Sequence, residues 1–213
     1  GFSMAQLIKI ISPLEKVFFD SADDFDSFSA FSMMKNEKKS FQLLFSAGQG
    51  ERVRFSVTSP LKEYMRFSLA ESIPAKMTRP DKADDYYIRG GRHEFPDLLL
   101  PLEDCAFTAQ RGGMCCVWVQ LSGDLPAGSF EARFTCNEKS EAVKIEVIGA
   151  VLPRQELIYT NWFHTDCLMS YYGFEAFSPA YWQCAEKFLR RAAEYGMNCV
   201  LTPLFTPPLD TQV

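Results

Sequence analysis

Hydrophobic and polar positions alternate along much of the chain. Val53, Phe55 and Val57 fall on one side of an extended backbone, with Arg52, Arg54 and Ser56 on the other, the two-residue period of a half-buried strand. Met65, Phe67 and Leu69 repeat it against Arg66 and Ser68, as do Phe130, Ala132 and Phe134 against Glu131, Arg133 and Thr135. Val143, Ile145 and Val147 alternate in the same way with Lys144 and Glu146. Between these runs lie SAGQGE, SGDLPAG and CNEKSE, turn-forming segments of the kind that join antiparallel neighbours. Two packed antiparallel sheets are the expected outcome. The interval from Pro74 to Pro101, rich in Pro, Gly and Asp, has little periodicity and reads as a long ordered excursion from the sandwich.

The grammar changes at VLPRQ. Leu157 to Phe163 reads as a strand, and SPAYWQCAEKFLRRAAEYG then carries helix signals: Ser178 as N-cap, Pro179 at the first helical position, Gly196 as the stop. Trp182, Ala185, Leu189 and Ala192 share one helical face, away from Lys187, Arg190 and Arg191. NCVLTPLF follows as a second apolar strand, completing a β-α-β unit whose strands are parallel. Parallel strands are normally covered on both faces and continue into a larger sheet, and a closed (β/α)8 barrel needs about 250 residues. The expected fold is therefore mainly β: an antiparallel β-sandwich over residues 4–152, followed over residues 155–213 by the first β-α-β unit of a truncated (β/α)8 barrel. Such a unit is expected to hide its apolar face against the sandwich or by self-association with a second copy.

Composition narrows the function classes. With 47% hydrophobic and 14% aromatic residues among 213, the chain can bury a substantial core. The formal net charge is −5, without a Lys/Arg run that could follow a phosphate backbone, so nucleic acid is not an expected partner. The longest apolar runs, such as Val147 to Leu152, are too short for a bilayer, and no membrane partner is expected. Gly1 to Ser3 read as a remnant ahead of a start at Met4, and no secretory signal follows that Met. The seven cysteines are an odd number scattered through apolar segments, which fits buried reduced thiols and a cytoplasmic location.

Candidate chemistry gathers in LIYTNWFHTDCLMSYYG. Trp162, His164 and Asp166 fall at the C-terminal end of the first parallel strand, the face on which barrel enzymes build their sites. An indole can stack on the apolar face of a sugar ring, and imidazole and carboxylate can hydrogen-bond its hydroxyls. The alternative is that Trp162 packs between sandwich and barrel while His164 and Asp166 hold the following loop. His164, Asp166 and Cys167 lack the second ligand group a metal site needs, and the other histidine, His93, is distant in sequence. A Cys167–His164 nucleophile pair is not brought together by spacing alone. In MCCVWVQL the vicinal Cys115 and Cys116 point to opposite faces, so neither need react. No cofactor and no metal are expected.

Read together and in order, SFQLLFSAG, EFPDLLLPL, AGSFEARF, VIGAVLPRQ, TNWFHTD and NCVLTPLFTPPLDT resemble the N-terminal portion of the bacterial proteins labelled domain of unknown function 4091, relatives of glycoside hydrolase family 123. The resemblance implies a β-sandwich preceding a catalytic barrel, and a carbohydrate as ligand. It also implies chemistry like that of β-N-acetylgalactosaminidases, in which an adjacent Asp-Glu pair assists attack by the substrate's own acetamido group. This sequence contains no Asp-Glu dipeptide; Glu103-Asp104 has the reverse order and lies in the sandwich region. No catalytic residue is therefore assigned, the acid pair being expected on a later strand, beyond Val213, and the chain is expected to be inactive alone. Trp162, His164 and Asp166, with Asp210 of TPPLDT as a second loop, are the candidate substrate-binding residues. A sandwich acting alone as a carbohydrate-binding or protein-interaction module is the alternative.

Overall fold

The computed structural model describes residues 4–76 and 92–201, and the chain divides into two compact units, Gly1–Leu152 and Pro153–Val213. In the first unit the alternating stretches become strands. One sheet orders β1 (Gln6–Ile11), β3 (Lys39–Ala47), β9 (Gly113–Leu121), β6 (Met65–Lys76) and β7 (Arg92–Pro101), every neighbouring pair antiparallel. The second orders β2 (Ala30–Met34), β11 (Lys139–Ile148), β10 (Gly128–Cys136) and β5 (Ser56–Thr58), antiparallel except for the parallel pair of β2 with β11. The inner faces meet in one core, where Phe41 of β3 touches Phe134 of β10 edge-on at 5.7 Å, both fully buried. The chain is thus mainly β, with antiparallel sheets and two helices among the described residues.

Two departures from simple alternation have local causes. The run Arg52–Thr58 is not one strand: β4 (Arg52–Arg54) pairs with β8 (Ala106–Thr108), while β5 pairs with β10. The chain changes partner at Phe55, whose N–H donates to Cys105 O at 2.9 Å while its ring enters the core. The interval Pro74 to Pro101 is less of an excursion than its composition predicts, since β6 runs to Lys76 and β7 begins at Arg92. β7 lies at the sheet edge, the position where Pro96 and Pro101 remove no central ladder bond.

The five-stranded sheet is apolar on both faces. On its second face Ile11, Leu44 and Cys116 pack with Val17, and Phe25 lies against them, so the segment between β1 and β2 acts as a cover. Buried Gln42 fastens that cover by donating from Nε2 to Ser12 O at 3.0 Å and to Glu15 O at 2.9 Å. Gly113, at φ +127, lets the cover approach so closely that a Cβ would lie 2.0 Å from Phe19 O.

The second unit holds β12 (Thr160–Trp162) and β13 (Cys199–Leu201), paired in parallel through Thr160↔Cys199, Asn161↔Val200 and Trp162↔Leu201, with α1 (Asp166–Tyr172) and α2 (Pro179–Glu194) between them. Ser178 caps α2, its Oγ accepting from Tyr181 N at 3.3 Å, Pro179 opens the helix, and Gly196 follows it at φ +97. The buried face differs from the expected one: Tyr181 and Ala185 are buried, whereas Trp182 is exposed. The Tyr181 hydroxyl donates to Thr165 Oγ1 on the inner side, and Trp182, a little over a quarter of a turn around the helix, is left outside. Asn198 extends the strand pairing with its side chain, accepting from Tyr159 N at 2.8 Å and donating to Leu157 O at 3.0 Å. No helix among the described residues is long and apolar enough to cross a membrane.

Candidate functional site at the end of β12

The residues Trp162, His164 and Asp166 leave β12 in quick succession. Period two puts Trp162 and His164 on the same side of the extended chain, and their ring centroids stand 6.0 Å apart, tilted by 54°. The backbone is anchored where they sit, since Phe163 N donates to Leu201 O at 3.1 Å and Cys167 N to His164 O at 3.3 Å. Asp166 opens α1, where a carboxylate meets the free N–H groups of the first turn. Gly173, at φ +69, ends that helix with its N–H on Met169 O.

The polar groups here are under-used. His164 is half-buried, and its Nδ1, shielded from solvent, has no hydrogen-bond partner among the described residues. No hydrogen bond or ion pair holds the half-buried Asp166 carboxylate among the described residues. Trp162 is 63% exposed, its indole presenting a free face. The indole thus stands 6.0 Å from an imidazole, with the Asp166 carboxylate two residues further along the chain. Asp210 lies outside the described residues.

Cysteine reactivity does not enter this arrangement. All seven cysteines are free thiols. Burial pushes the Cys115 thiol up to about 12 and raises Cys116 as well, so both stay protonated near neutrality. No three His, Cys, Asp or Glu side chains gather as a metal site would require, among the described residues. Sequence reasoning did not single out α1 or the rings of Tyr181 and Phe177. The pairing of Asp166 with Gly173 is the cap signal that would have marked the helix.

Three comparisons bear on this geometry. Residues 162–213 match the family glycoside hydrolase 123, catalytic domain, a match that begins at Trp162 itself. Among solved structures, a family 123 glycoside hydrolase from Clostridium perfringens, studied for glycolipid glycan hydrolysis, superposes with a TM-score of 0.69 at 12% identity over 92% of this chain. The likeness at that identity is one of fold, and this chain spans only 38% of the enzyme's length. Domains 4 and 5 of the S-layer protein SbsC align over 68% of this chain and 54% of theirs at 15% identity, with a TM-score of 0.29 too low to carry an argument. No curated protein sequence matches the chain. The family match and the shared fold support a relation to glycoside hydrolase family 123.

Proposed function

We propose that the chain is the sandwich and barrel opening of a glycoside hydrolase, of the branch labelled domain of unknown function 4091, and that the end of β12 receives a sugar, in the first instance an N-acetylated one. On this reading residues 4–152 form the sandwich domain and residues 155–213 begin a (β/α)8 barrel. The observation that carries it is the exposed Trp162 plate standing 6.0 Å from the His164 ring at the C-terminal end of a parallel strand. Trp162 stacks on the pyranose ring, His164 hydrogen-bonds through its other ring nitrogen, Nε2, and Asp166 accepts from a hydroxyl or the acetamido N–H. These residues bind and orient; they do not protonate the leaving oxygen. The sequence has no Asp-Glu pair for substrate-assisted chemistry, so the 213-residue chain alone is inactive.

A stand-alone carbohydrate-binding sandwich has less support. One hollow on it is an open trough of about 630 Å³ lined by Phe31, Ser32, Phe130, Glu131, Lys144 and Glu146. Its two rings, Phe31 and Phe130, are half-buried against the core, so the trough offers a sugar less stacking surface than the exposed Trp162 does. The test is an assay of the complete open reading frame beside the 213-residue form on aryl glycosides, N-acetylhexosaminides included. We expect hydrolysis by the longer form only, and a loss of about 10- to 100-fold in kcat/KM on His164→Ala or Asp166→Ala with an unchanged melting temperature. Hydrolysis by the short form, or full activity in both variants, would overturn the assignment.

A further inference from the structure

Among the described residues, neither His164 nor Asp166 is oriented by a hydrogen bond of its own side chain. The shielded His164 Nδ1 lacks a partner, and no hydrogen bond or ion pair holds the Asp166 carboxylate. Where these side chains stand is therefore decided by the backbone that carries them. Thr165 lies between the two, and its hydroxyl departs from what its place predicts. Thr165 is the N-cap of α1, where a threonine is ordinarily extended and its oxygen accepts from an N–H of the first turn. Here it makes no such bond, its backbone is already helical at φ −70 and ψ −21, and Oγ1 accepts from the Tyr181 hydroxyl of α2 instead. Tyr181 is firmly placed: its N–H donates to the capping Ser178 Oγ at 3.3 Å, and its buried ring meets Phe177 and Trp182 edge-on. A phenylalanine would fill the same space. What the tyrosine adds is one hydroxyl, satisfied by the residue between His164 and Asp166.

We propose that Tyr181 is a positioning residue for the end of β12: by holding Thr165 in its helical conformation, it sets His164 and Asp166 in fixed relation to each other and to the Trp162 ring. This rests on the reading of the β12 end as a sugar site. Two arrangements compete for the Thr165 hydroxyl. In the one observed it serves α2, and α1 starts without a side-chain cap. In the other it caps α1, which calls for an extended Thr165, so that ψ turns through roughly half a circle and Asp166 swings relative to His164. The Tyr181 bond selects the first. A helix that forgoes its own cap, in favour of a tie to the loop carrying the candidate binding residues, is the arrangement of a site ordered before its ligand arrives. The sugar then does not have to organise the loop. Tyr181 is buried and does not itself touch the sugar.

The test joins nuclear magnetic resonance of the free 213-residue chain to calorimetric titration with methyl N-acetyl-β-galactosaminide, for Tyr181→Phe, Thr165→Val, the double variant and Thr165→Ser. In the free chain, Tyr181→Phe should move the Thr165 backbone carbon shifts from helical towards extended values. In titration, Tyr181→Phe and Thr165→Val should each weaken binding about tenfold, and the double variant no further, because both remove the same bond. Thr165→Ser, which keeps the hydroxyl, should recover the affinity that Thr165→Val loses. A bond that serves stability alone would lower the melting temperature and leave both the affinity and the Thr165 shifts where they are, and that result overturns the proposal. Losses that multiply in the double variant overturn it too, since the two hydroxyls would then act separately. A parent chain that binds no sugar fails the reading of the site itself, and the proposal falls with it. Unchanged affinity in Tyr181→Phe beside a parent that binds fails the positioning role alone.

Discussion

The two units differ in how their strands are covered. In the first, Phe41, Leu43, Leu44 and Phe45 are all fully buried in consecutive or alternate positions of one strand, because a second sheet lies on one face and the β1–β2 segment on the other. In the second, every residue of β12 and β13 is exposed, and Leu157, Ile158, Val200 and Leu201 remain open to solvent. Among its described residues the buried apolar ones are Leu168, Tyr181, Ala185 and Met197. Two parallel strands with one amphipathic helix cannot enclose a core, so the second unit relies on caps and side-chain clamps for its local order. The contrast also separates roles: exposed rings are absent from the sandwich and abundant around β12 and α2 among the described residues.

The sharpest way to break this comparison is to delete one apolar side chain from each unit. Phe134→Ala should cost about 3–5 kcal/mol in chemical denaturation, since it opens a cavity in a closed core. Leu201→Ala, already half-exposed, should cost less than about 1 kcal/mol. Equal losses would mean that β13 is covered after all. Next in size is Asn198→Ala, which removes both side-chain bonds to Leu157 and Tyr159 and should cost about 1–2 kcal/mol locally. Hydrogen exchange should speed up at Tyr159 to Trp162 and at Val200, with the amides of Phe41 to Phe45 unaffected.

The smallest expected effect concerns pH. Backbone N–H groups of Gly48 and Ala5, both 2.7 Å from its carboxylate, hold Glu51 below the ordinary carboxylate range. Because the folded value is depressed, the stabilisation is present above the unfolded value and disappears as pH falls through the folded one. Glu51→Gln should therefore be less stable than the parent at neutral pH, and the two denaturation midpoints should converge in acid. Parallel curves over that range would contradict the assignment.

Much of the architecture was legible where one face of a strand is wet. Val53, Phe55 and Val57, or Val143, Ile145 and Val147, announce their sheet because polar residues alternate with them. β3 and β9 do not, since LLF and CCVWV are apolar on both faces, and periodicity vanishes when both sides are covered. The exchange of partner at Phe55 left no trace in the pattern because alternation continues through it. At the candidate site, position along the chain was enough to bring Trp162 and His164 to one side of one strand. The tie between Tyr181 and Thr165 was not legible, because it joins a helix to a loop through a hydroxyl that helical periodicity ranks as apolar. For the same reason Trp182 read as core when it lies outside.

The most direct measurement is a nuclear magnetic resonance titration of the 213-residue chain with methyl N-acetyl-β-galactosaminide. The account predicts that the Trp162 indole N–H, the His164 ring and the Asp166 amide shift together and saturate at one concentration, with the sandwich resonances still. Shifts confined to the strip formed by Ser32, Ser129, Glu131 and Lys144, or none at saturating sugar, would contradict it and return the sandwich to consideration as the binding module.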